Sequence, residues 1–184
     1  DPYIFLLRAL EAHGLAQRDI SLVLLQHDQG RLALERGDVD AWAGLDPMMA
    51  AAEVESGAKL FYRKPEANTW GVLNVSEDFA KKHPDIVTRV LKVYEDARRQ
   101  SIAEPAALKA SLIAATKLPD AVIDRQIERT DISSGAIGAT QAEAILAAGV
   151  ALQTAGVIKA DVDVKAAVDA LIEPRFAPTK SASR

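Results

Sequence analysis

The residues with the clearest binding chemistry lie in one short stretch, residues 41–47, with the sequence AWAGLDP. Trp42 is the only bulky side chain among small neighbours, so its indole ring could stack on a small ligand. Gly44 lets another backbone or a ligand approach closely, and Asp46 offers a carboxylate that either caps a following helix or holds a ligand ammonium group. The stretch therefore predicts a ligand-binding loop, with a tryptophan packed in a buried strand as the alternative.

The rest of the sequence offers little for catalysis. Its three histidines, His13, His27 and His83, lack the i, i+4 spacing of a zinc site. The absence of cysteine removes thiolate catalysis, disulfides and Cys-ligated metal. The sequence also contains no nucleophile elbow, Walker loop or G-x-G-x-x-G motif. We therefore predict no catalytic residue, no metal site and no cofactor.

Charged residues outside this stretch are typical of solvated surfaces. Carboxylates occur in pairs at Asp38 with Asp40 and at Glu53 with Glu55. Such pairs are expected by chance in a chain with 26 acidic residues, so a solvated face is the favoured interpretation. The arginine pair at 98–99 could bind an anion, although cations are also favoured at a helix end for structural reasons. The formal charge of −4 shows no excess of basic residues, so nucleic acid is not expected as a partner.

Helices and short apolar runs alternate in the first part of the chain. Asp1 and Pro2 begin a helix that ends near Gly14. A second helix starts at about residue 29 and ends at Gly37, and the pair at 46–47 begins a third that stops at Gly57. Buried strands are predicted at residues 20–25, 39–45, 58–62 and 69–75. This alternation predicts a parallel sheet covered by helices, which is an α/β fold.

The composition changes after residue 62. Residues 63–68, RKPEAN, interrupt the pattern with proline and charge, which indicates a lobe boundary or hinge. Beyond residue 76 apolar residues recur at helical spacing, and prolines at 84, 105 and 119 restart helices. Thr140 with Glu143 predicts a capping box before an alanine-rich helix, and a last helix is predicted at 164–171. The second half is therefore predicted to be almost wholly helical.

Three separated segments resemble one known family. They are DPYIFLLRALEAHGL at residues 1–15, LQHDQGRLALERGDVDAWAGLDPMMAAAE at 25–53, and NTWGVLNVSEDFAKKHPDIVTRVLKVYEDAR at 68–98. In this order they resemble the solute-binding proteins of ABC importers for aliphatic sulfonates, taurine and nitrate. The similarity covers about the first hundred residues and continues more weakly beyond them.

The resemblance implies a type II periplasmic-binding fold, in which two α/β lobes joined by a hinge close on a small ligand. In that family a signal peptide and most of the N-terminal lobe precede the part that resembles this chain, so we expect both to lie outside it. Residues 1–67 would then form the second α/β lobe, incomplete at its N-terminus. Residues 68–75 would form the hinge or crossover strand, and residues 76–184 a mostly helical part associated with the first lobe.

The same resemblance implies the site, the ligand and the partner. The ligand-lobe positions carried over are Asp1, Trp42, Gly44 and Asp46, and the hinge-strand positions near the cleft are Thr69 and Trp70. The expected ligand is a small anion or zwitterion, above all an aliphatic sulfonate, and no bond is made or broken. The expected partner is an ABC permease in the membrane. The expected location is the periplasm, or the outer face of the membrane through a lipid anchor.

Two alternatives stay open at this point. The first is an enzyme on the same fold that acts in pyrimidine-precursor, thiamine-type synthesis. Such an enzyme would need a histidine together with a cysteine-rich or metal-binding segment, and the sequence shows no such segment. The second is a partial chain, or a distinct short gene product, that has no binding activity of its own.

Overall fold

The structure, a computed structural model, describes residues 1–67 and 70–176, and its regular structure there is helical. The helices are α1 (Pro2–Ala12), α2 (His27–Arg36), α3 (Met48–Ser56), α4 (Glu77–Lys82), α5 (Pro84–Ala103), α6 (Pro105–Thr116), α7 (Asp120–Glu128), α8 (Ala139–Thr154) and α9 (Val164–Leu171). Short 3-10 turns lie at Gln17–Asp19, Pro65–Ala67 and Pro174–Phe176. Within the described ranges, no helix combines the length and the apolar character that crossing a membrane requires.

The predicted helix ends agree closely with the structure where proline or glycine sets them. Helix α1 begins at Pro2, directly after Asp1, and α9 covers the predicted residues. Helices α2 and α3 end at Gly37 and Gly57, whose φ angles of 78° and 69° are left-handed and therefore favour glycine. These local signals were sufficient because each acts within one turn of the helix it ends.

The strand predictions for the described residues are not confirmed. Residues 20–25, 39–45, 58–62 and 70–75 form irregular segments and bends, and no β-strand occurs in the part of the chain that the structure describes. A strand needs a neighbouring edge to pair its N–H and C=O groups, and even a two-stranded hairpin is only marginally stable alone. None of these segments lies beside another in a hydrogen-bonded ladder, so the α/β class is not confirmed.

The irregular segments expose much apolar surface. Leu24 is 75% exposed and Phe61 is 82% exposed. Other exposed apolar side chains on these segments are Val23, Leu25, Leu60, Val72, Leu73 and Val75. Large exposed apolar side chains, where they lie together on a surface, mark places that bind a ligand or another polypeptide.

The best-packed part of the structure joins α3 to α7. Ala50 and Ala51 of α3 are fully buried against Val122 of α7, and Leu118 packs on the same cluster. Small alanine side chains let the two helices approach closely. Helix α8 packs on α1 and on α9, where a Cβ added at Gly149 would meet Val164. Helices from the second half of the chain therefore pack directly on helices from the first.

The two adjacent arginines of α5 share one carboxylate. Nε of Arg98 lies 2.7 Å from Oε2 of Glu95, and Nε of Arg99 lies 2.7 Å from Oε1. Arg98 also donates hydrogen bonds to the carbonyl oxygens of Ile132 and Ser133, at 2.8 and 3.0 Å. Arg98 thus connects α5 to the loop after α7, and both arginines are paired with Glu95, which supports the structural interpretation over an anion site.

This arginine pair predicts a specific loss of stability in acid. Hydrogen bonds from Arg98 and Arg99 lower the pKa of Glu95 from 4.5 to about 2. Because the folded-state pKa is depressed, the stabilisation is present above pH 4.5 and is lost as the pH falls toward 2. In urea titrations between pH 5 and 2, the wild type should therefore lose stability more steeply than Glu95→Gln.

The control for this measurement is Glu11→Gln, since no ion pair of Glu11 occurs within the described residues. The free energy of unfolding of this variant should fall with pH as steeply as that of the wild type. Equal slopes for the wild type and Glu95→Gln would contradict the expected linkage.

Candidate ligand-binding site

Trp42 packs against two glycines, one from a neighbouring helix and one from its own loop. A Cβ added at Gly30 of α2 would lie 2.5 Å from Nε1 of the indole. A Cβ added at Gly44 would lie 2.7 Å from Cη2 and Cζ3 of the same ring. Both glycines therefore provide the space that the indole occupies. Trp42 as a whole is half-buried, so part of its surface stays accessible.

The close packing of Trp42 on α2 predicts that Gly30→Ala destabilises the fold. The added methyl group collides with the indole, and overpacking of this kind costs about 1–3 kcal/mol. The better helix propensity of alanine returns up to about 1 kcal/mol of this cost. The net loss should appear as a lower urea midpoint.

Gly71→Ala is the matched control, because no described atom lies within 4 Å of a Cβ added at Gly71. Its urea midpoint should stay close to that of the wild type. A Gly30→Ala variant as stable as the wild type would show that the indole moves away from α2 without cost.

Both oxygens of the Asp46 carboxylate have partners in the structure. Oδ1 accepts a hydrogen bond of 2.9 Å from the backbone N–H of Ala50, which caps the start of α3. Oδ2 lies 3.1 Å from Nε of Arg129. Burial raises the pKa of Asp46, while the charge of Arg129 and the hydrogen bond from Ala50 act in the opposite direction. Of the two roles predicted for Asp46, the structure shows the hydrogen bond to the first turn of the helix, although the N-cap residue itself is Pro47.

Arg129, the residue after α7, is the functional candidate that the sequence did not reveal. Its side chain is only 8% exposed, and Nη2 lies 2.5 Å from Oε2 of Glu53 on α3. Its Nε contacts Asp46 as an ion pair, but the N–H direction gives no hydrogen bond to any described residue. Arg129 therefore bridges one carboxylate just before α3 and one in the middle of that helix. The spacing between Glu53 and Arg129, 76 residues, carries no recognisable signal.

A groove of about 390 Å³ adjoins the Arg129 cluster. It is lined by Glu53, Leu60, Arg63, Arg125, Glu128, Arg129, Thr130 and Asp131. Nη2 of Arg63 donates a hydrogen bond of 3.2 Å to the carbonyl oxygen of Arg129, which brings a second guanidinium group to the cluster. Guanidinium groups beside a groove suit charge-assisted binding of a small anion. Among the described residues, no group of three or more His, Asp or Glu is placed to hold a metal ion.

The other predicted site residues lie apart from this cluster or outside the described residues. Asp1 is exposed and precedes α1 without a side-chain capping hydrogen bond. Trp70 is 36% exposed on an irregular segment. Thr69 lies outside the described residues. Within the described ranges, no hydrogen bond, ion pair or aromatic contact connects Asp1 or Trp70 to Trp42 or Asp46.

Three known proteins are similar to this chain over about half of its length or somewhat less. A "Putative aliphatic sulfonates-binding protein" of Bacillus subtilis is 33% identical over 81 residues, which cover 43% of this chain and 24% of that protein. A protein of the same name from Escherichia coli is 33% identical over 106 residues, 53% of this chain and 33% of that protein. The "Taurine-binding periplasmic protein" of Escherichia coli is 32% identical over 105 residues, 54% of this chain and 32% of that protein.

The chain therefore spans only about a quarter to a third of the length of the curated relatives it matches. No protein-family model matches the sequence. No solved structure matches it either. All three names are those of binding proteins for sulfonate-bearing solutes. The chain is thus a relative of aliphatic sulfonate-binding and taurine-binding proteins over about half of its length, and the resemblance predicted from its motifs is confirmed.

Proposed function

We propose that this chain belongs to a solute-binding protein that captures a small organic anion, above all an aliphatic sulfonate, and delivers it to an ABC importer. The observation that carries the proposal is the similarity to three proteins that are all named for binding aliphatic sulfonates or taurine. The same names support a role in binding without catalysis. The proposed partner is an ABC permease, and the proposed location is periplasmic or lipid-anchored on the outer face of the membrane.

The proposed ligand edge is the stretch from Trp42 to Asp46. The accessible part of the indole offers an apolar wall for an alkyl chain, and Gly44 lies against the same ring. Asp1, Thr69 and Trp70 are proposed as further ligand-lobe and hinge positions. A sulfonate carries one delocalised negative charge on three oxygens, so it is best held by several N–H and hydroxyl donors.

We also propose that the complete fold is of the type II periplasmic-binding class. The exposed apolar side chains of the irregular segments, Leu24 and Phe61 above all, support this proposal. Packed between helices and further strands they would be covered, as in the buried sheets of α/β proteins. Residues 1–67 are proposed as the second lobe, residues 68–75 as the hinge or crossover strand, and residues 76–184 as the helical part associated with the first lobe. In this structure α7 packs on α3 and α8 on α1, so the last part also contacts the first.

Thermal melting of the 184-residue chain with a ligand panel tests the proposed function. The panel contains ethanesulfonate, 1-propanesulfonate, taurine, nitrate and a thiamine-type pyrimidine. A ligand at 100 times its Kd stabilises the folded state by about 2.7 kcal/mol, so binding should raise the Tm measurably. We expect shifts with the sulfonates.

Two outcomes of this experiment would contradict the proposal. A shift with the pyrimidine alone would support the enzyme alternative. No shift with any compound at millimolar concentration would support a chain without binding activity. Circular dichroism on the same samples shows whether the helices are formed, so that an unfolded sample is recognised.

A further inference from the structure

We propose that Arg129 sets the ligand specificity of the candidate site by neutralising the carboxylate of Asp46, so that the site selects a plain alkanesulfonate over one that carries an ammonium group. The inference deepens the proposed function and rests on it, because it names the class of sulfonate that the Trp42 to Asp46 edge accepts. Arg129 acts through Asp46 and is therefore a positioning residue.

The first step concerns the charge that a ligand would meet at Asp46. The Asp46 side chain is 18% exposed, so a ligand group can approach it. An isolated carboxylate there would attract an ammonium group. In the structure one oxygen accepts from Ala50 and the other lies 3.1 Å from the guanidinium of Arg129. The negative charge is thus neutralised from within the protein.

The second step concerns the balance of the whole cluster. Asp46 and Glu53 contribute two negative charges, and Arg129 with Arg63 contributes two positive charges. The charge of Arg63 also favours the ionised form of Asp46, although Arg63 donates its own hydrogen bond to a backbone carbonyl. Among these four residues the positive and negative charges therefore balance, and the carboxylate of Asp46 has a guanidinium partner within the protein.

The third step is that Arg129 does not easily leave Asp46. Its side chain is almost fully buried and is held by Glu53 at 2.5 Å. Moving it toward solvent would leave two partly buried carboxylates without their partner, which is strongly unfavourable. A ligand ammonium would have to displace this guanidinium to reach Asp46, whereas an uncharged alkyl group would not.

The test compares two ligands of nearly the same shape. Taurine and 1-propanesulfonate differ in that an ammonium group in one replaces a methyl group in the other. The wild-type chain should bind 1-propanesulfonate at least about fivefold more tightly than taurine, measured by isothermal titration calorimetry. Equal or tighter binding of taurine would overturn this inference alone. Absence of binding by both ligands would overturn the proposed function and the inference with it.

Variants then show whether Arg129 is the cause. Arg129→Met removes the neutralising charge, so the affinity ratio should shift toward taurine by about tenfold. Arg129→Lys keeps a positive charge and should retain the preference for 1-propanesulfonate. An unchanged ratio in Arg129→Met would overturn the inference. If Arg129→Met does not fold, the inference is tested by the affinity ratios of the wild type and of Arg129→Lys. A preference of Arg129→Lys for taurine would also overturn the inference.

Arg31→Met is the matched control for net charge. Arg31 pairs with Glu55 near the C-terminal end of α3, away from Asp46 at its start. The variant removes the same unit charge from α2, at the other end of α3, so the affinity ratio should stay as in the wild type. A shift toward taurine as large as that of Arg129→Met would reflect overall charge and would overturn the assignment to Arg129.

Discussion

Replacement of Arg129 by methionine is expected to lower the free energy of unfolding by about 3–5 kcal/mol, because it removes one partner of a buried ion cluster. The methionine side chain is apolar and of similar length, so the packing volume is largely kept. The variant leaves the partly buried carboxylates of Asp46 and Glu53 without the guanidinium that both of them contact. Urea denaturation followed by circular dichroism measures the loss.

Arg125→Met, four residues earlier and on α7, is the control. Arg125 is about half exposed and pairs with Glu128 at 3.3 Å. An exposed pair of this kind contributes about 0–1 kcal/mol, so this variant should remain close to the wild type. Similar losses for Arg125→Met and Arg129→Met would contradict the special role of the buried cluster.

A double-mutant cycle measures the interaction between Glu53 and Arg129 separately from the cost of leaving one of them buried without its partner. When Glu53→Gln is combined with Arg129→Met, one of the two stranded carboxylates is removed together with its partner. The double variant should therefore be destabilised by less than the sum of the two single variants. Additive losses would show that Glu53 and Arg129 contribute independently, in disagreement with their contact of 2.5 Å.

Replacement of Ile123 by alanine is expected to cost about 2–5 kcal/mol, the range for truncating a fully buried isoleucine. Ile123 and Val122 are the largest side chains with essentially no exposure, and both belong to α7. The packing of α7 on α3 holds the start of α3, where Asp46 lies. The same variant should therefore also loosen the contact between Arg129 and Asp46.

Ile102→Ala on α5 is the matched control for this truncation. Ile102 is 51% exposed and also lies in a helix, so helix propensity changes equally in both variants. Its loss should stay below about 1 kcal/mol, as expected for a surface position. Equal losses for the two isoleucines would contradict the position of Ile123 in the core.

The local signals in the sequence predicted the helices well because they act over a few residues. Pro2, Pro84 and Pro105 each begin a helix, and Gly37 and Gly57 each follow one. The exception is α8, where the predicted capping box of Thr140 and Glu143 was wrong. The helix begins at Ala139, and the side-chain oxygen of Gln141 accepts from the backbone N–H of Gly138. A glutamine cap is not distinguished from its neighbours by sequence pattern alone.

Contacts between distant residues were not predictable in the same way. Glu53 was interpreted as part of a solvated face, yet its side chain is only 20% exposed and pairs with Arg129. The small neighbours of Trp42 were visible in its own stretch, whereas Gly30, which the indole also contacts, lies twelve residues earlier. Apolar runs such as 20–25 predict strands, but a strand forms only where another edge can pair with it.

The most direct test of the proposed function is a calorimetric titration of 1-propanesulfonate into the 184-residue chain, with the helices verified by circular dichroism in the same buffer. We expect a saturable heat that fits one site per chain. A titration that gives only the heat of dilution, from a chain whose helices are formed, would contradict a sulfonate-binding role for this chain.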